Sequence, residues 1–112
     1  MEIRVSFDGR NFKISPDPAR VKAGTLVKWR FHANHLGFDR ILWTVFFHHG
    51  SPFQFQADEF TTTTQSDQGQ HTGTTDEMAP DTPGDYKYGV RSEDARTQHR
   101  LGEDDPRLLV TP

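Results

Sequence analysis

The longest stretch without a polar face is Ile41–Leu42–Trp43–Thr44–Val45–Phe46–Phe47, in which every residue is apolar or β-branched. A run of this kind reads as a central strand buried on both sides. Elsewhere the apolar positions recur at every second residue, the period of a strand with one face on a core. Ile3, Val5 and Phe7 alternate with Arg4, Ser6 and Asp8, and Asp8–Gly9 marks a turn before Phe12 and Ile14 resume the alternation. Ser15–Pro16–Asp17–Pro18 ends that ladder, because proline has no N–H to donate. After the Ala23–Gly24 turn, Val27, Trp29 and Phe31 share one face while Leu26, Lys28 and Arg30 share the other, the clearest amphipathic strand in the chain.

Residues 32–39 form the connection into the central strand, and His48–His49–Gly50–Ser51–Pro52 closes it. Phe53 and Phe55, with Phe60 beyond them, predict a short strand or edge segment ending near residue 60. From Thr61 to Glu77 no residue is apolar, so a long polar surface loop is expected over about 61–82. Pro83–Gly84–Asp85 opens a strand Tyr86–Val90. The charged stretch Arg91–Asp105, with only Ala95 and Leu101 apolar, reads as an irregular connection with room for a helical turn. Leu108–Leu109–Val110 closes the chain. Short strands punctuated by turns over residues 1–112 predict one all-β domain, a Greek-key two-sheet β-sandwich. An immunoglobulin-like sandwich is the alternative, since it too places Trp and Tyr on neighbouring strands.

Composition agrees with that class. Nine Phe, two Trp and two Tyr in 112 residues favour strands over helices, and a chain of this length buries about two-thirds of its unfolded surface. No cysteine is present, which excludes disulfides, zinc–thiolate and copper–thiolate sites and a cysteine nucleophile. The net charge of −3 is unevenly spread: residues 1–57 carry eight basic and four acidic side chains, residues 58–85 none and seven, residues 86–112 five of each. Nucleic acid is not an expected partner, because no sustained basic excess is interleaved with exposed aromatics. The start Met1–Glu2–Ile3–Arg4 has no signal-like apolar run and no window is long enough to span a membrane. The chain therefore reads as cytoplasmic as it stands, or exported if a signal has been trimmed.

The ordered segments resemble a known family. Ile14–Ser15–Pro16–Asp17, Val21–Lys22–Ala23–Gly24–Thr25–Leu26–Val27–Lys28–Trp29, Trp43–Thr44–Val45–Phe46, Pro83–Gly84–Asp85–Tyr86–Lys87–Tyr88 and Leu108–Leu109–Val110 are similar to the cupredoxins over most of the chain outside residues 56–82. The resemblance implies a two-sheet sandwich and, in typical members, electron transfer through a mononuclear blue copper. The ligands do not carry over: the family's cysteine falls on Val90, its later histidine near Glu93 and its first histidine on Arg40 or Leu42. Met78 precedes the Tyr strand rather than following it in the ligand loop. A blue copper site needs a thiolate with two imidazoles, so no type 1 copper, and no other cofactor, is expected.

His35, in the connection into the central strand, and His99, in the late loop, are the candidates for a Zn(II) or Cu(II) site, with a carboxylate from Glu93 or Asp94. Two solvated loop histidines are the plainer interpretation. His48 and His49 are adjacent on an extended chain and point to opposite faces, so one ion does not suit both. Arg91, Arg96 and Arg100, with Arg40 nearby, form a candidate anion- or partner-binding patch, set against intra-loop pairing with Glu93, Asp94, Glu103, Asp104 and Asp105. No serine sits in a nucleophile elbow and no phosphate loop is present. Trp29, Trp43, Tyr86 and Tyr88 read as core rather than as a stacking platform. The expectation is a non-catalytic, copper-free binding or interaction module with a protein partner; the alternatives are a His/carboxylate metal-binding protein and an assembly domain that pairs exposed edge strands.

Overall fold

The computed structural model describes residues 1–34, 37–53 and 58–112. Its strands are β1 (Glu2–Phe7), β2 (Phe12–Ser15), β3 (Ala19–Lys22), β4 (Lys28–Asn34), β5 (Arg40–Phe47), β6 (Glu59–Gln65), β7 (Gln70–Thr74), β8 (Gly84–Asp94), β9 (Arg100–Asp104) and β10 (Arg107–Thr111). They form a four-stranded sheet, β2-β1-β4-β7, facing a six-stranded one, β3-β10-β8-β5-β6, with β9 on the far half of β8. The β1–β4 and β3–β10 pairs are parallel and the others antiparallel. The predicted all-β, two-sheet sandwich is the architecture found. Among the described residues no helix is long and apolar enough to cross a membrane.

Alternation decides which side chains meet between the sheets. Ile3, Val5 and Phe7 point inward from β1, Trp29, Phe31 and Ala33 from β4, and Ile41, Trp43, Val45 and Phe47 from β5, all fully or nearly fully buried. Each such side chain contributes about 1.5–3 kcal/mol by leaving water. The aromatic rings then interlock. Phe31 stacks on Trp43 at 5.1 Å, and Trp29 meets Tyr88 edge-on at 5.6 Å. The indole N–H of Trp29 donates to the Tyr88 hydroxyl at 3.3 Å, so the polar edges of two buried rings satisfy each other. The Ser15–Pro18 segment carries the chain from β2 in one sheet to β3 in the other, where no ladder partner needs a proline N–H.

Three expectations are corrected. The polar stretch 61–82 is not a surface loop through its first half: residues 59–65 and 70–74 are β6 and β7, which add to β5 and β4 and close one side of the sandwich. Threonine suits a pleated strand, and the inward positions Thr64, His71 and Thr75 are buried through hydrogen bonds rather than apolar contact. The irregular connection at 91–105 is also strand, since β8 runs on to Asp94 and turns back as β9, with a bulge between Ser92 and Glu93. Finally, β5 is not covered on both sides. Its outward Leu42 and Phe46 are only half-buried, although Thr44 between them is 1 % exposed. The Arg91 guanidinium lies 5.0 Å over the Phe46 ring, which rests on Gly89.

Candidate functional site

The end of the sandwich where β5 begins holds some of the residues singled out from sequence, Arg40, Asp94, Arg96 and His99. Two turns shape it. In the β8–β9 turn the Asp94 carboxylate accepts the Arg96 N–H at 3.0 Å, the Asp94 carbonyl accepts the Gln98 N–H at 2.7 Å, and Gln98 takes a left-handed conformation, φ 62°. The Ala95 N–H donates to the Arg40 carbonyl at 3.1 Å, tying this turn to the start of β5. On the other side the Ser66 N–H donates to the Asp39 carbonyl at 2.8 Å, fixing the β6–β7 turn to the same point.

Between the turns lies an open cleft of about 650 Å³ lined by Asp39, Arg40, Thr63, Gln65, Ser66, Ala95 and Arg96. Arg40 and Arg96 bring two guanidinium groups to it from different elements. Among the described residues neither is within ion-pair distance of a carboxylate. The remaining wall offers hydroxyl and amide groups from Thr63, Gln65 and Ser66. Asp39 is the single acidic side chain in the lining. Guanidinium forks flanked by neutral donors match the geometry of a carboxylate or phosphate.

Of the other candidate arginines, Arg91 is turned onto the outer face of the six-stranded sheet, 2.9 Å from Glu93 and 3.6 Å from Glu59. Arg100 lies 3.3 Å from Glu103. The three arginines are therefore not one patch: Arg96 joins Arg40, while Arg91 and Arg100 face carboxylates of their own sheet. His99 is exposed beside the same turn, its N–H on Thr97 at 3.3 Å. His35 lies outside the described residues, so the proposed His35–His99–Glu93 group is not assembled from what is described. Among the described residues no three His, Asp or Glu side chains converge to hold a metal ion. At the opposite end, His48 stands 3.3 Å from Asp105.

Sequence reasoning missed His71. It is 1 % exposed and sits in a chain of hydrogen bonds that joins the sheets next to the cleft. The Trp43 indole N–H donates to the Thr64 hydroxyl at 2.8 Å, the Thr64 oxygen is 3.1 Å from His71 Nδ1, and His71 Nε2 is 2.8 Å from the Phe38 carbonyl. A carbonyl can only accept, so Nε2 carries the proton and Nδ1 accepts from Thr64. Every donor in the chain then has an acceptor. No apolar residue flags this segment, and the one available signal was strand alternation of His71 with Gly73 and Thr75.

Two of the positions where the sequence resemblance would put copper ligands, Val90 and Glu93, hold side chains engaged elsewhere. Val90, where the cysteine would fall, is a fully buried core side chain, and Glu93 is paired with Arg91. No family model matches the sequence, and no curated protein matches it. Among solved structures the chain is similar to auracyanin B, at 13% identity over 99% of this chain and 88% of that one, with a TM-score of 0.49. It is likewise similar to auracyanin A, a blue copper protein of Chloroflexus aurantiacus, at 13% identity over 99% of this chain and 98% of that one, with a TM-score of 0.48. The fold is an all-β two-sheet sandwich, in a chain that has no cysteine from which a blue copper centre could be built.

Proposed function

We propose that this protein is a non-catalytic binding module that receives an oxyanion group, a carboxylate or phosphate displayed by a protein partner, in the Arg40–Arg96 cleft. The observation that carries the reading is that two arginines from different elements, neither in an ion pair among the described residues, line one cleft with the hydroxyl and amide groups of Thr63, Gln65 and Ser66 and a single carboxylate, Asp39. The turn hydrogen bonds that fix Ala95 to Arg40 and Ser66 to Asp39 support it, because they hold the backbone around both arginines before any ligand arrives. The non-catalytic part is the reading made from sequence, where no serine sits in a nucleophile elbow and no phosphate loop is present. The close His–Asp contact, His48 with Asp105, lies at the far end and has no serine within hydrogen-bond distance among the described residues.

The test is a titration of the labelled protein with inorganic phosphate and with acetate, followed by amide chemical shifts. Saturable shifts confined to Thr63, Gln65, Ser66, Ala95 and Arg96, weakened by salt and abolished in Arg40→Ser/Arg96→Ser, are expected. Shifts that never saturate, or that survive the double substitution, would refute the site.

A further inference from the structure

The outer face of the four-stranded sheet is a second surface, sharing no lining residue with the Arg40–Arg96 cleft. Because Ile3, Val5 and Phe7 face the core, Arg4 and Ser6 must face outward from β1, and by the same alternation Arg30 and His32 face outward from β4. Register sets them in rows. Arg4 lies beside Arg30, and two residues on, Ser6 lies between Lys13 and His32, with Thr72 beyond. Two adjoining depressions of about 730 and 360 Å³ run along this face and share Ser6 and His32, making one trough.

The trough is cationic and its first row is held in place from within. The Glu2 carboxylate engages Arg4 Nε at 3.3 Å and Arg30 Nε at 3.0 Å. Both contacts use Nε. Both side chains are more than half exposed. Burial alone would raise the Glu2 carboxyl, but Arg30 and Arg4 together pull it below its usual value, so it stays ionised as their anchor. Lys13 stands in the second row. Asp8, at the far end of the trough, has one carboxylate oxygen accepting the Arg10 and Asn11 N–H groups of the β1–β2 turn.

Two residues along a strand separate the cationic rows by about 7 Å, which is also the distance between alternate side chains of an extended chain. We propose that this trough docks an extended acidic segment of a partner polypeptide, whose carboxylates at alternate positions meet the Arg4–Arg30 row and then the Lys13–His32 row. The Ser6, Thr72 and Thr74 hydroxyls hydrogen-bond the backbone of the segment between those carboxylates.

The probe is a dye-labelled peptide of alternating Glu and Thr, followed by fluorescence anisotropy on the whole chain. Saturable binding is expected, with amide shifts at Ser6, His32 and Thr72. Affinity should fall about tenfold or more in Arg4→Ser/Arg30→Ser, since two charge-assisted contacts are removed. Arg20→Ser, on the edge strand of the other sheet, should leave it unchanged, and so should Arg40→Ser/Arg96→Ser, which separates this trough from the cleft. Equal binding of a Gln–Thr peptide, tighter binding of an oligo-uronate, or an equal loss in Arg20→Ser would each overturn the proposal. Self-association of the free protein that disappears in Arg4→Ser/Arg30→Ser would overturn it too, by showing that a second copy is the occupant.

Discussion

Replacing Thr64 with valine exchanges a hydroxyl for a methyl at nearly constant volume, so it isolates the hydrogen-bond chain that joins the two sheets. The substitution leaves the Trp43 indole N–H without its acceptor and His71 Nδ1 without its donor, and both residues are within 1 % of complete burial. A buried polar group that loses its partner costs about 1–3 kcal/mol, so two of them together cost about 2–6 kcal/mol. That is a large fraction of the roughly 5–15 kcal/mol available to a single domain. For a chain of this size the melting temperature should fall by about 4 °C for each kcal/mol. Urea and thermal unfolding, followed by tryptophan fluorescence, measure the loss. Thr64→Ser keeps the hydroxyl and removes only the methyl that packs against Gly73, so it should cost about 1 kcal/mol. Thr61→Val, at an exposed position of the same strand, should be close to neutral. In a double-mutant cycle with His71→Leu the two losses should fall short of additive, because each removes the same bond. If Thr64→Val proves no more destabilising than Thr61→Val, the chain of hydrogen bonds does not hold the sheets together and the reasoning fails.

Three further outcomes follow from other contacts. A Cβ on Gly89 would collide with the Phe46 ring, so Gly89→Ala should destabilise by about 1–3 kcal/mol, and most of that loss should vanish in a Phe46→Ala background. Ser92 Oγ is buried with no hydrogen-bond partner among the described residues, so Ser92→Ala should raise stability by about 1 kcal/mol; a lowered melting temperature would contradict it. Burial pushes the Tyr88 hydroxyl well above its usual value, with the Trp29 hydrogen bond opposing. The folded chain thus holds this proton more tightly than the unfolded one, and the associated stability is intact below about pH 10 and lost as pH rises beyond it. Phenolate absorbance should therefore show Tyr88 ionising only together with alkaline unfolding, and its ordinary titration in the folded chain would refute this.

The sequence by itself determined the strand faces wherever apolar residues recur at period two. Ile3–Val5–Phe7 and Val27–Trp29–Phe31 could be placed because burying them requires one register and forbids its one-residue slip. The central strand β5 was legible as a strand but its inward side was not, because Ile41–Phe47 is apolar or β-branched throughout, and the missing thiolate followed from composition alone. What the sequence could not show is burial achieved through hydrogen bonds. Thr64 and His71 look like solvent-facing residues until β5 and β4 supply Trp43 and the ladders that pull β6 and β7 into the sandwich. Charge pairing was equally hidden. Arg91, Arg96 and Arg100 are near neighbours in sequence, but strand alternation and the β8–β9 turn send Arg91 to Glu93 and Glu59, Arg100 to Glu103, and Arg96 to the cleft beside Arg40. Local pattern fixes which face a side chain takes, because that depends on backbone period. Which carboxylate or hydroxyl meets it there depends on strands distant in the chain, and only the tertiary structure decides that.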